Sequence, residues 1–134
     1  MENKRKLIIS GSVKFSKEIK EFVDKIENKY NVLNYPKPIK EEDLLKEYRD
    51  IHKKFYFDIE NTDDFLLFNY DKNGIEGYIG YAGFAELSFA IIQNLLHGKN
   101  ISIYILKYPS TSVSCKQEID LWLSLGWIKI FDKY

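Results

Sequence analysis

Hydrophobic and polar positions change period repeatedly along the chain, and each change marks an element. Leu7-Ile8-Ile9-Ser10-Gly11 is an apolar run closed by small residues, the pattern of a strand buried on both faces of a parallel sheet. Ser16 is placed to cap a helix in which Ile19, Phe22, Val23, Ile26 and Tyr30 recur at helical spacing. Asn31-Val32-Leu33-Asn34 predicts a second strand, running into the loop Tyr35-Pro36-Lys37-Pro38. From Glu41 to Phe55 a second amphipathic helix carries Leu44, Leu45, Tyr48, Ile51 and Phe55 on one side. Phe65-Leu66-Leu67-Phe68-Asn69 reads as the central strand, followed by a polar, glycine-containing loop from Tyr70 to Gly80. A strongly apolar helix spans Ala82 to Leu96, with Gly98 as its C-cap. Ile101 to Leu106 is a fourth strand, Glu118 to Leu125 a short helix stopped by Gly126, and Trp127 to Phe131 a last strand.

Alternating strands and helices imply right-handed crossovers and a mainly parallel sheet of about five strands with helices on both faces. The expected fold is α/β: a Rossmann-like (flavodoxin-like) three-layer sandwich forming a single domain over residues 1–134. In such sheets ligands bind beyond the carboxyl ends of the strands. Chemistry is therefore sought in the segments after Ser10, Asn69 and Leu106.

Composition narrows the function classes. Twenty basic residues balance twenty acidic ones, so no net field argues for long nucleic acid or an anionic membrane as partner. Cys115 is the single cysteine, which excludes an internal disulfide and fits a reducing, cytoplasmic setting. The apolar stretch after the basic Met1–Lys6 segment is too short for a signal-peptide core, and no apolar run is long enough to span a membrane. His52 and His97 are isolated, with no Cys/His/Asp cluster at metal-ligand spacing.

Within the most apolar helix stands a carboxylate, Glu86, flanked by the small residues Ala82, Gly83 and Ala90. Gly83 weakens a helix by about 1 kcal/mol relative to alanine, and small residues leave open space beside a side chain. A helix start favours an ionised carboxylate, whereas apolar surroundings raise its pKa. Glu86 either complements the helix dipole or pairs with a lysine, or it is a catalytic group; the pattern leaves both readings open. Ser10-Gly11-Ser12-Val13-Lys14 lies between the first strand and the first helix. There Gly11 permits close backbone approach, the Ser10 and Ser12 hydroxyls can bond oxygens, and Lys14 adds charge. The segment is neither a Walker loop nor a Gly-x-Gly-x-x-Gly fingerprint, and as a simple turn it needs no ligand. Tyr70, Tyr78 and Tyr81 flank the expected pocket, to stack on a base or to pack on the sheet.

Three segments together resemble the nucleoside 2-deoxyribosyltransferase superfamily, which includes the 2′-deoxynucleoside 5′-monophosphate N-hydrolases. Leu7 to Phe15 is similar to that family's first strand and Gly-Ser substrate loop, and Asp64 to Asn69 to its aspartate-introduced strand. Gly83 to Ala90, followed by His97-Gly98-Lys99-Asn100-Ile101, is similar to its glutamate helix and the Gly-Lys before the next strand. The resemblance implies a nucleoside or nucleotide substrate, no metal or organic cofactor, and a homodimer or higher homo-oligomer whose neighbouring subunits complete each pocket. It also implies that Glu86 attacks the anomeric carbon while the nucleobase leaves, with the covalent sugar then passed to water or to another base.

Gly11, Ser12 and Ser88 are then sugar or phosphate contacts, with Ser10, Lys14, Asn69, Tyr81 and Gly83 completing the expected substrate site. Gly80 stands where many of the transferases carry an aspartate, and Ser88 where glycine is common. The acid must therefore come from elsewhere. Asp71 is the first choice because it follows the central strand, and Asp58 the second, with Asp64 and Glu76 also in reach of the argument. Two other classes remain: a nucleotide-binding module without catalysis, and a TIR-like NAD glycohydrolase, which also uses a helix glutamate.

Overall fold

In the computed structural model, which describes residues 3–132, five strands form one parallel sheet in the order β2-β1-β3-β4-β5. Met1 and Glu2, where the basic N-terminal segment begins, and Lys133 and Tyr134 lie outside the described residues. The strands are β1 (Arg5–Ser10), β2 (Tyr30–Asn34), β3 (Asp64–Leu67), β4 (Ser102–Ile105) and β5 (Lys129–Ile130). The helices are α1 (Ser16–Ile26), α2 (Leu44–Glu60), α3 (Tyr81–His97) and α4 (Lys116–Ser124). β3 pairs with β1 from Leu7↔Asp64 to Ser10↔Leu67 and with β4 from Asp64↔Ser102 to Leu67↔Ile105. This is the expected α/β Rossmann-like sandwich.

Layering follows from the two-residue period of the strands. Leu7, Ile9, Leu66, Phe68 and Tyr104 face one way and close a core with Phe15 and with Ile19, Phe22, Val23 and Ile26 of α1. Ile8, Phe65, Leu67, Ile103 and Ile105 face the other way, against Phe55 and Ile59 of α2, Leu87, Ala90 and Ile91 of α3, and Ile119 of α4. The chain steps from β1 outward to β2, then returns across the sheet to β3, β4 and β5. Right-handed crossovers in opposite directions put α1 on one face and the other helices on the opposite one. The reversal creates a crevice at the carboxyl ends of β1 and β3, the topological switch point of the sheet.

Several element boundaries differ from the sequence expectation for identifiable reasons. Tyr30 belongs to β2, not to the first helix; α1 ends at Ile26, and the chain turns so that Tyr30 meets the same core beside Phe131. Ser12, rather than Ser16, caps the start of that region: its hydroxyl accepts from Lys14 N at 3.2 Å and opens a 3-10 turn over Val13–Phe15. α2 runs on to Glu60, and its buried residues Phe55, Asp58 and Ile59 all lie in its second half. The first half reaches past the sheet, so Leu45, expected on the packed side, is 92% exposed. β5 is a two-residue strand because only Lys129 and Ile130 pair with Tyr104 and Ile105.

Candidate active site

Glu86 lies in the second turn of α3, and its carboxylate reaches across the switch point to the end of β1. Ser10, fully buried as the last residue of that strand, donates its hydroxyl to Glu86 Oε1 at 2.5 Å. Helical side chains lean toward the N-terminus, so Glu86 is carried back over the crevice that precedes its helix. Only 7% of the residue is exposed, and no ion pair among the described residues involves it. Burial therefore dominates its ionisation. The carboxyl is pushed up to about 7, and the Ser10 hydrogen bond, which favours the charged form, offsets only part of that rise. Neither the lysine pair nor a dipole-dominated carboxylate describes this group.

The carboxylate faces a cleft of about 890 Å³, within the range of small-molecule sites. Gly11 and Ser12 form one side of it, and Gly80, Tyr81, Ala82 and Gly83 the start of α3. At two of these glycines a side chain would crowd its neighbours. A Cβ at Gly11 would stand 3.1 Å from the carbonyl oxygen of Phe68, where the ends of β1 and β3 converge. At Gly83 it would meet Leu67 Cδ1 at 3.0 Å, so this glycine seats α3 on β3 as well as bordering the carboxylate.

The remaining expected site residues separate into those at the cleft and those with other partners. Tyr81 lines the rim and is 92% exposed. Lys14 is exposed outside the lining. Ser88, two residues beyond Glu86, is rotated about 200° around the helix from it and does not line the cleft. Asn69 is buried and bridges two loops: its amide nitrogen donates to Lys107 O at 2.7 Å and Gly77 O at 3.3 Å, and its amide oxygen accepts from Leu106 N and Lys107 N. Asp71 also lies outside the lining, paired with Lys107 Nζ at 2.9 Å and accepting from Gly77 N at 3.0 Å. Both contacts hold its carboxyl below the usual carboxylate range. Asp58 is buried between Asn34 Nδ2 (3.0 Å) and Lys54 Nζ (2.5 Å). Asp64 binds Arg5 through two hydrogen bonds, at the amino end of the sheet and away from the crevice.

Groups that sequence reasoning passed over form the opposite wall. They come from the loop after β2 (Tyr35, Lys37) and from the exposed first half of α2 (Tyr48, His52). His52, isolated in the sequence, packs against Tyr48 with ring centroids 4.1 Å apart and the planes tilted by 37°. The rule that points to segments after strand ends applies equally to Asn34, so the signal was present; the outward overhang of α2 was not. Lys72, in the loop before α3, lies 4.5 Å from the ring centre of Tyr78, and both line the cleft. Tyr70 instead stacks on Phe68 at 5.7 Å, is exposed to solvent and does not line the cleft. Among the described residues no group of three or more His, Cys, Asp or Glu side chains is arranged to hold a metal ion, and no helix is long and apolar enough to cross a membrane. No protein-family model, curated protein or solved structure matched the chain.

Proposed function

We propose that the protein cleaves or exchanges the N-glycosidic bond of a nucleoside or nucleoside 5′-monophosphate, with Glu86 as the nucleophile. The observation that carries this reading is the buried Glu86 carboxylate, hydrogen-bonded by Ser10 at the switch point and facing a cleft of about 890 Å³. A poorly solvated carboxylate without a cationic partner is a competent nucleophile toward an electron-poor anomeric carbon. The Ser10 hydroxyl fixes one oxygen and leaves the other to attack. The transition state carries positive charge on the sugar, and the nearby carboxylate stabilises it in a poorly solvated site. Aromatic faces on Tyr35 and Tyr48 give a planar base surfaces to lie against.

The reading includes a cytoplasmic homodimer. Leu44 and Tyr81 stand exposed at the cleft, where a second copy would cover them and narrow the opening. The decisive experiment is release of free base from a panel of deoxynucleosides and their 5′-monophosphates. Wild-type protein is expected to release base and Glu86→Gln to lose at least about 1,000-fold in kcat, since an amide cannot form the glycosyl ester. Turnover that survives Glu86→Gln rules out this mechanism. Substrate binding without any base release identifies a binding module, and release of nicotinamide from NAD alone identifies the glycohydrolase alternative.

A further inference from the structure

Resting on the glycosidic reading above, we infer that Tyr78 is the proton donor to the departing base. Displacement at the anomeric carbon leaves an electron pair on a base nitrogen, and a base of ordinary acidity departs readily only when that charge is neutralised. A second group carrying a proton must therefore border the cleft. Asp58, Asp64 and Asp71 are each held by a basic side chain and none of them lines the cleft. Glu47 and Asp50 do line it, but both stand exposed to solvent on the first half of α2, where an ordinary carboxylate has given up its proton near neutrality.

Tyr78 meets the requirement by position. It lies two residues before Gly80, the residue that opens α3, so the segment carrying the phenol runs directly into the helix carrying Glu86. A Cβ at Gly80 would stand 3.6 Å from the Tyr78 hydroxyl and 3.5 Å from its ring. The missing side chain at position 80 thus leaves the phenol standing beside the start of that helix. The Tyr78 backbone is tied to Tyr70 O at 3.1 Å, the Lys72 ammonium lies over its ring at 4.5 Å, and the ring lies half-buried against the α1-side core. The side chain is thereby held in place, whereas Tyr81 is almost wholly exposed and His52 stands on the overhanging half of α2.

The step balances without a co-reactant beyond water or an acceptor base. A Glu86 oxygen forms a bond to the anomeric carbon as the carbon–nitrogen bond breaks, its electron pair going to the base. The phenol proton passes to the base, leaving phenolate. Water then attacks the glycosyl ester and gives its proton back to the phenolate, freeing Glu86 and the sugar. When another base takes the place of water, its nitrogen proton makes the return.

The test compares 2′-deoxyguanosine with 7-methyl-2′-deoxyguanosine, each as nucleoside and 5′-monophosphate, in wild type, Tyr78→Phe, His52→Gln and Glu86→Gln. The methylated base already carries positive charge and leaves without a proton donor. Tyr78→Phe is expected to lose about 100-fold or more in kcat on 2′-deoxyguanosine while cleaving the methylated substrate near the wild-type rate. An unchanged urea midpoint confirms that the phenylalanine variant is folded. Equal losses on both substrates, no loss on either, or a substrate-selective loss in His52→Gln in place of Tyr78→Phe overturns the assignment. Loss of both activities in Glu86→Gln leaves the glycosidic reading standing in each of those cases. Failure of the wild type to release base from these substrates and from every other deoxynucleoside and 5′-monophosphate of the panel, or undiminished cleavage by Glu86→Gln, overturns that reading and the role of Tyr78 with it.

Discussion

Glu86 is where function and stability oppose one another. Its carboxyl ionises at about 7 in the folded chain against an ordinary 4.5, because burial penalises the charge more than Ser10 relieves it. Below the ordinary value it is protonated whether the chain is folded or unfolded. Between the two values the folded chain holds a proton that the unfolded chain releases, so stability falls as pH rises through that window. Integrated, the loss is about 3 kcal/mol above neutrality. Glu86→Gln removes the ionisation while keeping the size. In urea melts it should be more stable than wild type by about 2–3 kcal/mol near pH 8, with the difference vanishing near pH 4.5. Equal stability at both pH values would contradict the buried, unpaired carboxylate. The catalytic rate should move the opposite way, rising with pH as the nucleophile ionises.

At the level of elements, the site depends on how two loops lock together behind it. Asn69 lies two residues beyond β3 and binds backbone from Gly77 on one side and from Leu106 and Lys107 on the other. Gly77 completes this junction in a left-handed conformation, with φ of 65°, and a Cβ there would lie 2.7 Å from Pro109 Cα. Backbone cannot yield as a side-chain tip can. Gly77→Ala should therefore cost about 2–4 kcal/mol in urea denaturation, combining the left-handed penalty with overpacking. A cost below 1 kcal/mol would mean that the junction is looser than its contacts imply. This is also where sequence reading was least able to assign roles. Asn69 and Asp71 follow a strand end, the position that favours ligands in α/β sheets, yet their partners Gly77 and Lys107 come from loops whose approach no local pattern encodes. Glu86, by contrast, was legible because a lone carboxylate among alanines and a glycine is anomalous within its own helix.

Across the whole molecule, stability is concentrated at the centre of the sheet and thins toward β5. Every residue of β3 is buried, and Phe65 is fully enclosed between β1, β4 and the helices of one face. Both residues of β5 are exposed, Ile130 by 40%. Phe65→Ala is accordingly expected to cost about 3–5 kcal/mol, and Ile130→Ala under about 1 kcal/mol, by equilibrium urea denaturation. Comparable costs would show that the edge carries more of the core than its exposure implies.

Local periodicity by itself determined the element order, the parallel sheet and the buried faces of α1 and β3, because burial on these elements follows the repeat of the backbone. It also isolated Glu86 as the residue out of place. Boundaries set by long-range partners were decided elsewhere: Tyr30 joined a strand because it pairs with Arg5 of β1 while still reaching the core that α1 covers, and Leu45 was left exposed because α2 overhangs the strand ends. The Ser10–Glu86 contact spans 76 positions of sequence. Only the reversal of strand order between β1 and β3 brings those positions together, and with them the burial that perturbs the carboxylate and the wall of tyrosines and lysine that faces it. Spacing along a chain specifies which side chains share a face; it carries no information about which remote loop will close over that face.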